Sequence, residues 1–246
     1  MGQINVDVRN GIAIITIETP GRKNAFTRAM RGEIAARLDA MAEDAAVAGA
    51  VLTGAGDDFC AGQDLTEAQN WDGDVPWVEE FETFARSILK FPKPLIAAIN
   101  GVAAGGGFQA ALLCDVRVGS ATAVMGQPEV KVGLASVTGT WLLQRAVGEL
   151  RGRELALSGR MLQADALLQL GILSEVVPQD RVLDRSIELC KDIASSPAHA
   201  IARTKAWMYE SVSDEIGRVF ADASRVHRLG FEKGLSQQGA KEFLAR

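Results

Sequence analysis

The chain has 246 residues, 48% of them apolar, with 26 basic and 31 acidic side chains and a formal net charge of −5. That balance excludes the basic face that wholesale nucleic-acid binding relies on, though an anionic small ligand stays open because local groups outweigh the net sum. No apolar run approaches the roughly 18–20 residues of a membrane helix, and the polar, alternating start MGQINVDVRNG reads as neither a signal peptide nor, with Val6 at the sixth position, a myristoylation signal.

INVDVRNGIAIITIE predicts two alternating strands joined at Asn10-Gly11, the pair a type I′ hairpin turn favours. TPGRKNAF is a loop, and TRAMRGEIAARLDAMAED has helical spacing with Thr27 as N-cap. AGAVLTGAG is a short buried strand. DDFCAGQDLTEAQN turns from loop into helix, and an amphipathic helix follows WDGDVP. After Pro94, KPLIAAINGVAA reads as one buried strand. Gly105, Gly106 and Gly107 come next, then helix FQAALLCD, strand VRVGSA, and VMGQPEVKVGL as strand and turn. Asp115 is placed at the start of a strand, and Ser136 at the cap of the VTGTWLL helix. From about Thr138 helices dominate, broken by a strand in LSEVVP, and after Pro178 the sequence is almost wholly helical. The shift in composition sets a boundary near residue 190, with an α/β front (1–190) and a helical extension (191–246). The recurring order strand–strand–helix hints at a structural repeat.

Cys60, Cys114 and Cys190 are few, odd in number and far apart, which gives neither a disulfide framework nor zinc spacing, and no metal site is expected. Each reads as a small buried apolar residue in a reducing compartment. His199 and His227 sit in late helical sequence with no nucleophile motif, so both read as exposed or core histidines and a Ser/His/Asp mechanism has little support.

Two readings compete for the triple glycine. Gly105, Gly107 and Ala110 satisfy G-x-G-x-x-G/A, with Glu129 about 20 residues on. However, the stretch from Gly107 to Asp115 is too short for an ordinary crossover helix, and Glu129 follows a proline in a turn. The phosphate loop G-x-x-x-x-G-K-[ST] and the G-x-S-x-G elbow are absent. The second reading is a backbone donor site: glycines at a strand-to-helix turn let N–H groups approach a ligand oxygen, and the helix start leaves those donors unpaired.

LTGAGDDFCAGQDL, AAINGVAAGGGFQAALLCDVRV and MGQPEVKVGL together resemble the crotonase superfamily, the enoyl-CoA hydratases and isomerases. RKNAF, LALSGRMLQADALLQLGILSEVVP and the closing AKEFLAR are similar to that family in order and spacing, so the resemblance runs over nearly the whole chain. It implies an α/β, ClpP-like superhelix of strand–strand–helix turns over 1–190. It also implies a helical region over 191–246 that builds homotrimers, or dimers of trimers, and contributes to the CoA site. The implied substrate is an acyl-CoA thioester, with coenzyme A as part of the substrate and no separate cofactor, no membrane or nucleic-acid partner, and a cytoplasmic location.

Carried onto this sequence, the family's oxyanion hole falls on the backbone N–H groups of Gln63 and Gly106. Lys23, Ala25, Ala61, Asp64 and Leu65 match the loops that hold the bent CoA, and Gly105 and Pro128 fall in the same binding motifs. Arg22 and Lys23 could meet phosphates, and Asp64 could cap the helix that follows. Two-glutamate hydratases carry one Glu two residues after the third glycine and another in GQPE. The second is present as Glu129; the first is Gln109, whose amide has no useful pKa near neutrality. The pattern favours shifting a double bond from the 3- to the 2-position with Glu129 as proton shuttle, since partial burial can raise a carboxyl pKa toward neutrality. The alternatives are a hydratase in which Gln109 orients water, another crotonase reaction such as hydrolysis or decarboxylation, and a non-catalytic acyl-CoA-binding homologue. Residues 67–84, with Trp71 and Trp77, are placed by analogy along the acyl pocket.

Overall fold

The computed structural model describes residues 2–69 and 77–244, apart from the side chains of 68, 69, 77, 240, 243 and 244. Along the chain the elements begin with strands β1 (Gln3–Arg9) and β2 (Ile12–Glu18), then helix α1 (Arg28–Glu43) and strand β3 (Gly49–Gly54). Helices α2 (Leu65–Gln69) and α3 (Trp77–Lys90) follow, then strands β4 (Leu95–Ile99) and β5 (Val102–Ala104). Helix α4 (Gly106–Leu113) leads to strands β6 (Val116–Ser120) and β7 (Val124–Gly126), a 3-10 turn at Pro128–Val132, and helices α5 (Val137–Val147) and α6 (Glu149–Ser158). Strand β8 (Met161–Gln163), helix α7 (Ala164–Gln169) and strand β9 (Glu175–Val177) complete the sheets. Helices α8 (Val182–Ala194), α9 (Ala198–Glu210), α10 (Ser213–Glu232) and α11 (Leu235–Leu244) end the described chain.

The large sheet has the order β1-β2-β3-β4-β6-β9, with β1 antiparallel to β2 and every later pair parallel. Its central strands are buried on both faces, as a parallel sheet requires. The side chains divide by strand alternation. Ile12 and Ile14 join Val51, Ile96, Ala98 and Val118 on one face, under Val182, Ile187 and Cys190 of α8. Ala13, Ile15 and Ile17 point the other way, into the main core with Phe26, Phe84, Phe108 and Phe220. Residue 190 therefore falls inside a helix that packs on the sheet.

The small sheet, β5-β7-β8, forms a second, inner layer. Two isolated parallel bridges extend it toward the N-terminus: Cys60 to Ala103, and Phe26 to Gln63. Each winding of the chain thus supplies one strand to the outer sheet and one short segment to the inner layer. This is the superhelix of strand–strand–helix turns expected from the sequence.

Three local expectations hold in the structure. Asn10 and Gly11 both have positive φ at the first hairpin. The Thr27 side chain accepts the Met30 N–H at the start of α1. The three cysteines are buried and free, their thiols pushed up to about 12 by burial.

Three others are corrected. Residues 94–104 form two strands, because the chain turns at Asn100-Gly101 to pass from the outer sheet to the inner layer; the Asn100 side chain donates to the Gly54 and Gly56 carbonyls there. Strand β8 lies between two expected helices where no strand is expected; three residues are too short for a periodic signal, and pairing with β7 defines it. Ser136 does precede α5, but its hydroxyl caps nothing and has no hydrogen-bond partner; its carbonyl accepts the Thr140 N–H instead. No described helix is long and apolar enough to cross a membrane.

Candidate active site

The triple glycine sits where β5 ends and α4 begins, and each glycine has its own steric reason. Gly105 has φ +52°, which L side chains rarely adopt, and an added Cβ would lie 2.9 Å from a Glu129 carboxylate oxygen. At Gly106 a Cβ would press on the Phe26 ring edge at 3.3 Å. At Gly107 it would lie 2.2 Å from the Cys60 carbonyl oxygen, inside contact distance. The helix start is thereby brought against both the inner-layer bridge at Cys60 and the turn that holds Glu129.

Register then orients two backbone donors. In the parallel bridge between Phe26 and Gln63, the Phe26 N–H donates to Gly62 O and the Asp64 N–H donates to Phe26 O, at 2.9 and 3.1 Å. Gln63, between them, turns its own N–H away from Phe26. Gly106 is the first residue of α4, so its N–H has no partner within the helix. Among the described residues neither amide donates to a backbone carbonyl. The two are neighbours: a Cβ built on Gly106 would lie 3.6 Å from Gln63 N, and one on Gly62 would lie 3.2 Å from Gly106 N.

Gln63, Gly106, Gln109 and Glu129 line one cavity of about 430 Å³. Among the described residues Glu129 is its only carboxylate. Part of the Glu129 residue reaches the surface, but its Oε2 is shielded from solvent and has no hydrogen-bond partner. Oε1 accepts from the side-chain amides of Gln127 and, at 3.4 Å, Gln109. Burial dominates these contacts and pushes the Glu129 carboxyl up to about 7; its own backbone N–H and the two amides pull the other way. Gln109 is itself oriented: Thr138 on α5 donates its hydroxyl to Gln109 Oε1 at 2.7 Å, leaving Nε2 to face Glu129.

The other sequence-selected residues divide. Lys23, Ala61, Leu65, Gly105 and Pro128 line the cavity. Ala25 and Asp64 are buried beside it. Asp64 accepts the Thr66 N–H at 3.0 Å at the start of α2, and its second oxygen binds Arg22 Nη1 at 2.6 Å. Lys23 lies 3.9 Å from Asp58. Of the 67–84 segment, Val78 and Phe81 line the cavity. Trp71 lies outside the described residues, as does the Trp77 side chain.

Sequence reasoning missed Gln127, Thr138, Arg31 and the cavity position of His227. Gln127 stands in the GQPE stretch, two residues before its partner, but carried no assigned role; Thr138 has no local pattern, since its partner is distant in sequence. Arg31 did carry a signal: it interrupts the apolar stripe of α1 formed by Met30, Ile34, Ala35, Leu38 and Met41.

Comparison with known proteins agrees with this geometry. The family model described as enoyl-CoA hydratase/isomerase matches residues 7–246. A probable enoyl-CoA hydratase of Rhizobium meliloti is 32% identical over 98% of this chain and 92% of its own length. The 1,2-epoxyphenylacetyl-CoA isomerase of Escherichia coli is 32% identical over 97% of this chain and 94% of its own. The crystal structure of an enoyl-CoA hydratase/isomerase from Pseudoalteromonas atlantica superposes with a TM-score of 0.88 at 26% identity, covering 98% of this chain and 96% of that one. With the paired strand segments, the glycine turn and the GQPE carboxylate in one cavity, this near full-length similarity places the chain in the enoyl-CoA hydratase/isomerase family of the crotonase superfamily.

Proposed function

We propose that the protein moves the double bond of a 3-enoyl-CoA to the 2-position, with Glu129 as the proton shuttle. The observation that carries this reading is the one carboxylate among the described cavity residues, pushed up to about 7 by burial, beside two backbone amides that donate to no backbone carbonyl there. In the proposed reaction the thioester oxygen sits between the N–H groups of Gln63 and Gly106. Glu129 removes a proton from C2, the negative charge spreads over the dienolate and its oxygen, and the same carboxyl returns the proton at C4. Donors aimed at a developing oxyanion commonly contribute about 3 kcal/mol each. One proton moves and no electrons leave the substrate, so the step needs neither metal nor redox cofactor beyond the CoA already on the substrate.

Gln109 supports isomerisation over hydration. Hydration needs one group to take a proton from water while another delivers one to carbon. The Gln109 carbonyl oxygen already accepts from Thr138, so the side chain offers its N–H, which cannot take a proton. The rival reading is a hydratase in which that N–H orients water for Glu129; relatives named as hydratases favour it. Purified protein incubated with 3-enoyl-CoA and 2-enoyl-CoA of matched length separates the two. Fast hydration of the second with no turnover of the first would overturn the isomerase reading.

Under the same reading the Lys23, Ala25, Ala61, Asp64 and Leu65 loops, with Pro128, hold the CoA portion. Arg22 is then a structural link to Asp64 that fixes the loop, and Lys23 is the cation left for phosphate. We also propose that residues 1–190 form the catalytic core and that 191–246 assemble copies into trimers or dimers of trimers. The exposed Trp207 and Met208 on α9 support an apolar face in that region. Sedimentation analysis of the purified protein tests it, and a monomer at micromolar concentration would reject it.

A further inference from the structure

Helix α1 carries a guanidinium into the core. Arg31 is 1% exposed and lies over two aromatic rings, 5.4 Å from the Phe26 centroid and 5.9 Å from that of Phe81. It lines the same cavity as Gln63, Gly106 and Glu129. Its Nε and Nη1 are shielded from solvent and have no hydrogen-bond partner among the described residues. Such donors are costly to bury unless something accepts from them.

Counter-charges lie nearby, although burial outweighs them and holds the guanidinium at about 10, below its ordinary value. Glu67 and Glu80 favour the charged form and Arg28 opposes it, so two guanidiniums stand against two carboxylates. Those carboxylates have other business. Glu67 accepts the Arg28 backbone N–H at 3.1 and 3.2 Å and the Gln63 side-chain amide. Glu80 reaches Arg28 at 3.6 Å. What Arg31 lacks is a bonded acceptor: no ion pair within 4 Å joins it to either carboxylate among the described residues, and the buried Glu80 Oε2 is itself without a hydrogen-bond partner. The Phe26 ring it covers is the ring whose edge meets Gly106, so a single phenyl group separates the guanidinium from the backbone donor turn. His227 Nδ1, like Glu129 Oε2 and Ser136 Oγ, is a further wall atom without a hydrogen-bond partner among the described residues.

We propose that Arg31 recognises a neutral oxygen acceptor (a carbonyl, hydroxyl or ring oxygen) on the acyl tail of the substrate, so that the preferred thioester is an oxygenated one. This rests on the acyl-thioester reading above and gives it a substrate class. A plain hydrocarbon tail would offer no acceptor and leave both Arg31 donors unpaired. A tail carboxylate would set a third negative charge beside Glu67 and Glu80, against two guanidiniums. A neutral oxygen satisfies the donors without disturbing that balance, and a hydroxyl could also donate to His227. Sites that hydrogen-bond a substrate oxygen reject the analogue lacking it far more strongly than apolar pockets reject a missing methylene.

The test uses three CoA thioesters of equal chain length whose tails end in a hydrocarbon, a ketone or hydroxyl, or a carboxylate. Each is made in an unsaturated form for turnover and a saturated form for binding. The expected result is a wild-type preference of at least tenfold for the neutral oxygenated tail, in kcat/KM and in the Kd of the saturated ester. In Arg31→Met, of similar volume, that ratio falls toward one, mainly through KM. Arg31→Lys, which keeps the charge but not the fork of donors, gives an intermediate ratio and serves if the methionine variant fails to fold. Equal wild-type affinity for the hydrocarbon and oxygenated tails, preference for the carboxylate, or a ratio unchanged by both substitutions would overturn the proposal. If the saturated esters bind with the expected ratio but no unsaturated ester isomerises, the isomerase reading fails and the recognition stands. If no CoA ester binds at all, the acyl-thioester reading fails and takes this proposal with it.

Discussion

The Thr138 hydroxyl donates to Gln109 Oε1 at 2.7 Å, and that one bond decides which end of the Gln109 amide meets Glu129. An amide has two chemically different ends on a similar shape, so its function depends on what fixes its orientation. Replacing Thr138 with Val keeps the shape and removes the donor. Gln109 can then turn over, and its carbonyl would face the carboxylate. We expect kcat to fall by about five- to thirtyfold, equivalent to roughly 1–2 kcal/mol for a lost hydrogen bond, with KM little changed. Steady-state kinetics on 3-enoyl-CoA measures it, and a Ser at the same position should restore most of the loss.

Glu129→Gln removes the only carboxylate among the described cavity residues. General-base catalysis is typically worth about 10²–10⁴-fold, so kcat should fall by about that factor while affinity for a saturated acyl-CoA persists. Calorimetric titration beside the rate assay distinguishes a missing base from a collapsed site. An unchanged kcat would remove Glu129 from the mechanism.

The raised Glu129 carboxyl also predicts two pH profiles. As a base it works ionised, so kcat/KM should rise with pH through an apparent value near 7. Stability should run the opposite way. The folded state holds this proton up to about 7, whereas an unfolded chain releases it near 4.5. The contribution is therefore fully present below 4.5 and is lost as pH rises to about 7. Glu129→Gln should thus stabilise the protein at pH 8 by about 2–3 kcal/mol and leave it nearly unchanged at pH 4. Denaturant titrations at the two pH values measure the difference.

Gln109→Glu would set a second carboxylate opposite Glu129, where the present amide nitrogen lies 3.4 Å from Oε1. Two carboxyls that close share a proton, and one pKa is driven upward. If the missing carboxylate is what limits water addition, hydration of 2-enoyl-CoA should increase by at least about tenfold, within the range of general acid catalysis. No gain in hydration would show that water access or geometry, rather than the Gln109 amide, limits that reaction.

Gly105→Ala should damage both folding and catalysis. The backbone there has positive φ, and the new methyl would press on Glu129 at 2.9 Å. The backbone term alone costs about 1 kcal/mol, and the displaced carboxylate adds to it. We expect a lower melting temperature together with a kcat loss larger than the stability loss explains.

Much of the site was legible because it is encoded in short continuous stretches. Gly105, Gly106 and Gly107 mark a tight turn by composition alone, and Pro128-Glu129 stands in its own short motif beyond α4, β6 and β7. The Thr27 cap and the Asn10-Gly11 turn are equally local, since each depends on a residue's own conformational preference. The break of residues 94–104 into β4 and β5 was not legible. Both halves are apolar and short, and only the passage from one sheet to the other separates them. Ser136 had the right position for a cap, but its hydroxyl makes no cap bond and the helix uses its carbonyl instead.

By itself the sequence determined the family, the turn that presents backbone donors and the substitution of an amide for one carboxylate. These follow from residue identity and spacing, which survive without knowing what packs where. Only the tertiary structure decided that Glu129 titrates near neutrality, because desolvation depends on every element that encloses the carboxyl. It alone aimed the Gln63 and Gly106 amides at a common space, through a bridge to Phe26 that no local pattern announces. And it alone set Arg31 on the cavity wall with two donors unanswered, since an arginine in an apolar stripe acquires meaning from the acceptors its neighbours fail to supply.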